Sequence, residues 1–244
     1  MIKVFAKKIL MIISTLFNNN NDSKIIFYHD IHSSKVYCDE SSTPLQLFKN
    51  HIQLIEKSSY DLVSNISRPK NQIKIQLDDG FKGIYDCLPF IVENKIPLEI
   101  FLIMDKINAD NYLSEKQIME MNSYAFISFS SHTVSHSCLN ELNEKELRHE
   151  LEYSKTYLQK ILNQDVSSIC YPKGLFNQAV VREANRLTYA YQYCSIPGSF
   201  FSPIFTNVYC RNLVQSSSLS EFSLVLKGGL SIFKFWFKNK HYKK

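Results

Sequence analysis

Glycine and proline are scarce, six and seven in 244 residues, too few for a disordered or linker-rich chain. There is no internal repeat, and the only low-complexity stretch is Asn18 to Asn21, extended by Asp22 and Ser23 as a short polar connector. The six cysteines (Cys38, Cys87, Cys138, Cys170, Cys194 and Cys210) form no C-x-x-C pair. Several lie in apolar runs, where a thiol behaves as a small hydrophobe. A chain neither small nor cysteine-rich does not need a disulfide framework, so reduced structural thiols in a cytosol are the favoured reading. No G-x-S-x-G elbow, G-x-G-x-x-G loop or P-loop occurs, which leaves serine hydrolase, dinucleotide enzyme and NTPase readings without support.

Acidic residues are missing from both ends. Residues 1–17 carry Lys3, Lys7 and Lys8, and the tail from Lys227 to Lys244 carries six lysines. Setting those nine aside leaves 19 basic against 23 acidic residues, so the body is mildly acidic although the whole chain is +5. A nucleic-acid-binding core would carry a basic face on the domain itself, so no nucleic-acid partner is expected. The apolar run Ile9 to Phe17 is too short to span a bilayer, and the asparagines after it offer no small-residue cleavage site. Phe233, Phe235, Trp236 and Phe237 among the tail lysines suit an interfacial anchor. Packing of both ends on the domain is the competing reading. The expected division is a basic, apolar segment over 1–22, a catalytic domain over 23–226 and a basic, aromatic tail over 227–244. On the anchoring reading the protein is cytoplasmic and peripheral to the inner membrane surface, with an exported form left open.

A hydrophobic content of 45% allows a sizeable core. Strand-like runs at 24–28, 73–77, 98–103, 125–130, 168–171 and 189–193 alternate with helical patterns. The helices include one from Pro44 capped by Thr43, one over 83–95, one after Ser114, one capped by Asn143 and one over 177–187. Such alternation implies an α/β fold with a parallel sheet, open or closed into a barrel, and chemistry at the C-terminal strand ends.

Three polar clusters begin where a strand stops: Asp78-Asp79-Gly80, His132 to His136, and Tyr171-Pro172-Lys173-Gly174; His29-Asp30 is a weaker fourth. Singly each is an ordinary turn. Together they describe a metal site. Two histidines at i and i+4 can face one side of a helical turn, and one carboxylate completes a two-His, one-carboxylate set with open positions for water. The neighbouring carboxylate then stays free as a base, and a dication relieves the repulsion between the two.

QLDDGF, SHTVSH and CYPKG, in this order, resemble the first three motifs of the polysaccharide deacetylase family (carbohydrate esterase family 4), with similarity over about residues 25–214. The resemblance implies an irregular (β/α) barrel and removal of N-acetyl groups from an amino-sugar polysaccharide or glycolipid precursor, as in exopolysaccharide or lipopolysaccharide modification. It implies Asp78 as general base and Asp79, His132 and His136 as ligands of one divalent ion, zinc by preference. Tyr171 and Pro172 would belong to the acetyl pocket, with the Tyr171 N–H on the oxyanion. Tyr28-His29-Asp30 resembles the early motif of a circularly permuted, exopolysaccharide-modifying branch, which makes His29 the expected general acid. His241, in the lysine-rich tail, is a poor candidate for that role.

Two departures stand out. Cys170 occupies the position of an arginine that orients the base in many members, and Arg211 is the residue able to supply that charge from another strand. Lys173 stands where an aromatic residue is common. The competing functions are a catalytically silent carbohydrate-binding barrel and a hydrolase of another amide, such as a formamido sugar or a cyclic imide.

Overall fold

The computed structural model describes residues 2–17, 21–33 and 42–243, apart from the side chains of residues 2–5. Cys38, Asn18 to Asn20 and Lys244 lie outside the described residues, as does the Lys3 side chain. In chain order the elements are α1 (Ile2–Phe17), β1 (Lys24–Tyr28), β2 (Asp30–His32), β3 (Ser42–Pro44), α2 (Leu45–Glu56), β4 (Asp61–Leu62) and β5 (Gln72–Leu77). Then come α3 (Gly83–Asp86), α4 (Leu88–Glu93), β6 (Leu98–Leu102), α5 (Glu115–Asn122), β7 (Ile127–Ser131), α6 (Glu144–Leu162), β8 (Ser168–Cys170) and α7 (Gln178–Arg186). The chain ends with β9 (Tyr191–Tyr193), β10 (Val208–Tyr209), β11 (Asn212–Leu213), α8 (Leu219–Leu226), a 3-10 turn (Gly229–Phe233) and α9 (Lys234–His241).

Nine parallel strands form one curled sheet in the order β10-β9-β8-β7-β6-β5-β1-β11, with β4 beside β5. Its two edge strands, β10 and β11, are separated in sequence only by Cys210 and Arg211. A two-residue connection therefore holds the two edges of the sheet beside each other, and the result is an irregular (β/α) barrel. Alternation along each strand sorts its side chains between two environments. In β5, Ile73, Ile75 and Leu77 belong to the main hydrophobic cluster beneath the helices. Gln72, Lys74 and Gln76 alternate with them and are equally buried. The second cluster, Ile25, Phe101, Cys170, Tyr193 and Phe200, comes from the opposite strand face. That interior is polar at its centre: Glu99 pairs with Lys74 at 2.9 Å and accepts from Gln76 and Ser130, each at 2.7 Å.

Two helical expectations need correction. Thr43 does not cap α2; it lies in β3 and donates its hydroxyl to the Gln215 carbonyl, and the helix begins at Leu45 after Pro44. The segment 83–95 is not one helix but two short ones meeting at Cys87. Pro89, in the first turn of α4, lacks an amide hydrogen to donate and its ring crowds a preceding turn, so a continuous helix cannot run through it. By contrast, Ser114 and Asn143 each make a reciprocal capping box, with Gln117 and Glu146 respectively.

Candidate active site

The three sequence clusters lie at the C-terminal ends of β5, β7 and β8, on one side of the sheet with β6 between the first two. The β5 loop turns sharply because Asp79 and Gly80 both take positive φ, 72° and 78°. A Cβ on Gly80 would meet Leu102 Cδ2 at 2.6 Å, so only glycine fits. The turn leaves Asp78 buried, its amide bonded to the Tyr28 carbonyl, and places Asp79 beside the two imidazoles.

His132 to His136 do not form the expected helical turn. They form a loop in which Thr133 and His136 have φ of 71° and 63°, and positive φ is a costly conformation for a β-branched threonine. The loop is held from beneath by Glu150 on the inward face of α6, which accepts from the Val134 and Ser135 amides at 2.9 and 3.0 Å and from the Ser135 hydroxyl. Glu150 was invisible as a site residue in the sequence. Its only signal is a carboxylate between Leu147 and Leu151 on an otherwise inward-facing helical stripe. His132 Nδ1 donates to the Cys170 carbonyl at 2.8 Å, which fixes the tautomer and leaves Nε2 as the lone-pair nitrogen.

Asp79 Oδ1 is 3.4 Å from His132 Nε2 and 3.6 Å from His136 Nε2. It is buried and lacks a hydrogen-bond partner among the described residues. Such an orphaned anionic atom facing two imidazole nitrogens fits a divalent cation, and the three donor atoms lie within 4.8 Å of one another. Asp78, His132 and Cys170 also cluster, but that set fits poorly. Both Asp78 oxygens are already taken, and burial pushes the Cys170 thiol up, keeping it protonated.

Arg211 is the group that takes them. It projects from the seam between β10 and β11, donating Nη1 to Asp78 Oδ1 at 2.7 Å and Nη2 to Oδ2 at 2.8 Å. Its guanidinium lies between the Phe27 and Phe101 rings, 4.1 and 5.6 Å from their centroids, and also contacts the Cys170 sulfur at 2.8 Å. Burial alone would raise Asp78, but the Arg211 charge and its two hydrogen bonds hold the carboxyl well below the usual range. Burial lowers His136 to about 4, so it stands as a neutral imidazole.

Tyr171 lines the pocket whereas Pro172 does not, and Tyr171 offers less than expected. The Tyr171 amide donates to the Tyr193 carbonyl at 3.0 Å and its hydroxyl to Gln192, so the expected oxyanion N–H is already engaged. The cause is β8–β9 pairing carried one residue past the strand, and Pro172 has no N–H to offer instead.

A pocket of about 590 Å³ opens over this floor and includes His29, Asp78, His132, His136, Tyr171 and Arg211 in its walls. His29 Nδ1 is bonded to Gln215 Oε1. The tail is not remote: Phe233, Trp236, Phe237, Lys240 and His241 line the same pocket, as does Lys7 of α1. His241 is buried, donates Nδ1–H to the Lys173 carbonyl at 3.1 Å, and has an Nε2 without a partner. Its position in the tail does not keep His241 from the pocket, because α9 folds back over the third motif.

The polysaccharide deacetylase family model matches residues 65–192, more than half of the chain and all three motifs. Among curated relatives, YxkH of Bacillus subtilis (strain 168), named as a polysaccharide deacetylase, is 26% identical over 186 residues, 72% of this chain and 65% of that protein. A poly-beta-1,6-N-acetyl-D-glucosamine N-deacetylase of Staphylococcus aureus (strain MRSA252) is 28% identical over 123 residues, 45% of this chain and 42% of that one. The match thus spans less than two thirds of the length of either relative. Among solved structures, the Streptococcus pyogenes deacetylase PplD in complex with acetate superposes with a TM-score of 0.74 at 23% identity, covering 85% of this chain and 99% of that one. With the three motifs converging on one pocket of a curled parallel barrel, the chain belongs to the polysaccharide deacetylase family.

Proposed function

We propose that the protein is a metal-dependent hydrolase that removes the N-acetyl group from an amino sugar in a polysaccharide or glycolipid precursor and releases acetate. The observation that carries this reading is the pairing of an orphaned Asp79 carboxylate and two imidazoles with a separate, arginine-held carboxylate at Asp78. The family match and the N-deacetylase among the relatives support the substrate class.

Asp79, His132 and His136 would hold the ion, zinc in this reading, which when bound supplies Lewis-acid polarisation of the acetamide carbonyl and acidifies a water. Asp78 would take the proton of the attacking water as the water oxygen adds to the carbonyl carbon. Arg211 keeps Asp78 ionised and fixes its orientation. His29, in the pocket wall with Nδ1 bonded to Gln215, hands a proton to the sugar nitrogen as the C–N bond breaks. Acetate and a free amino sugar leave. His241 is the competing acid, favoured by its unpartnered Nε2 in the same pocket. The Arg211 contact with Asp78 weighs against the silent-barrel alternative, whose best support is the altered third motif. Peripheral membrane contact through α1 and α9 belongs to the same reading, supported by Ile9, Leu10, Ile12, Ile13, Leu16 and Phe17 of α1, all 38% exposed or more. Acetate release from chitooligosaccharides, with and without a chelator, tests the assignment.

A further inference from the structure

The pocket has two unlike halves. Its floor holds Asp78, the imidazoles and Arg211 already described. The upper wall comes from the two chain ends and carries Leu230, Phe233, Trp236 and Phe237 together with Lys7 and Lys240, while Lys173 and Leu213 border it from the barrel. Among the described residues the lining has one carboxylate, Asp78, whose charge Arg211 offsets. Ser195, Ser216 and Ser217 supply hydroxyls to the pocket, whereas the upper wall offers ammonium groups, aromatic rings and aliphatic carbon.

Three exposed lysines beside an apolar channel match a phosphate joined to a hydrocarbon chain, lysine being a point-charge phosphate binder. A second observation agrees with the first. Trp236 lines the pocket yet is 59% exposed, and Phe235 beside it is 76% exposed. Ile232 and the apolar face of α1 are exposed as well, so the same two chain ends that wall the pocket also present apolar surface to the outside.

We infer that the pocket takes an N-acetylated amino sugar carried on a lipid phosphate, with the acetamide over Asp79, His132 and His136, the phosphate among Lys7, Lys173 and Lys240, and the lipid along Phe233, Trp236 and Phe237. This substrate class rests on the deacetylase reading and narrows it. The sugar would be modified while still attached to its carrier, so a reaction joining an activated amino sugar to a lipid phosphate must supply this substrate.

The test compares four compounds: farnesyl N-acetylglucosaminyl phosphate, N-acetylglucosamine 1-phosphate, a neutral alkyl N-acetylglucosaminide and chitotetraose. The expected result is a kcat/KM for the farnesyl phosphate about tenfold or more above each of the others. The Lys7→Ala, Lys240→Ala double variant lowers that preference over chitotetraose about tenfold. Equal rates on chitotetraose or on the neutral alkyl glycoside overturn the inference. Trp236 is the only tryptophan of the chain, so its fluorescence reports binding without turnover. Titration with the deacetylated farnesyl compound should shift the emission to the blue and saturate; no change overturns the inference. A saturating shift with no acetate from any compound instead upholds the lipid-phosphate site and rejects the deacetylase chemistry.

Discussion

Arg211 grips Asp78 with both terminal nitrogens, at 2.7 and 2.8 Å, from the two-residue seam that joins the edges of the barrel. Both groups are almost fully buried, so neither charge is stable without the other. The pair rests on a deeper network, in which Arg211 reaches Gln76 at 3.4 Å and Gln76 donates to Glu99.

Arg211→Lys keeps a cation but loses the two-point grip. The expected result is a fall in kcat of about tenfold or more with bound metal unchanged, because the base is free to turn. The acid limb of the pH profile should move toward neutral as the Asp78 carboxyl loses the contacts that hold it low. Unchanged kcat and an unchanged acid limb would remove Arg211 from the mechanism.

Asp78→Asn and His132→Ala separate the base from the ligands. The first is expected to keep the metal and lose turnover, the second to lose both. Metal analysis of each purified variant beside acetate release decides the point.

Glu150→Gln leaves the fold but weakens support for the loop bearing His132 and His136, since one oxygen accepts two backbone amides. Outer-shell losses of this kind cost about 10–100-fold in metal affinity. Chelator competition against the parent protein measures the drop, and equal affinity would show that the loop holds itself.

The two candidate acids differ in their expected signatures. His29→Gln should cost about 10²-fold or more in kcat, because no positioned acid then protonates the leaving nitrogen. His241→Gln should leave kcat nearly unchanged. The reverse outcome assigns the proton to the tail.

His51 supplies a stability test away from the metal. Buried on α2, it lies 3.0 Å from Tyr28 Oη at Nδ1 and 2.9 Å from the Ser217 carbonyl at Nε2. Burial lowers it from 6.5 to about 4. Below pH 6.5 the unfolded chain takes up a proton that the folded chain refuses until about 4, so stability falls as pH falls through that window. Urea unfolding at pH 7.5 and 4.5 should show a loss of about 2–3 kcal/mol from this group, and a smaller loss in His51→Gln.

Much of this site was legible as strand ends followed by Asp-Asp-Gly, His-x-x-x-His and Tyr-Pro-x-Gly, because a short parallel strand announces its own C-terminus by a change from apolar to polar residues. The alternation Gln72, Lys74, Gln76 in β5 was also in plain sight, but only the apolar half of the pattern suggested its meaning. A polar barrel interior depends on partners such as Glu99, which come from a different strand. β10 and β11 have two residues each, too short for any periodicity. The return of α9 over Lys173 depends on the His241 contact and on the Phe176 backbone bonds to His241 and Lys243, none of which leaves a sequence signal. Glu150 was hidden because a buried acid in a helix looks like any surface glutamate until the loop it serves is known.

The most direct measurement is the metal content of the purified protein together with acetate release from an N-acetylated sugar substrate, before and after chelation. About one divalent ion per chain, acetate release that chelation abolishes, and recovery when zinc is restored are expected. Acetate release that is untouched by complete metal removal would contradict the assignment of Asp79, His132 and His136.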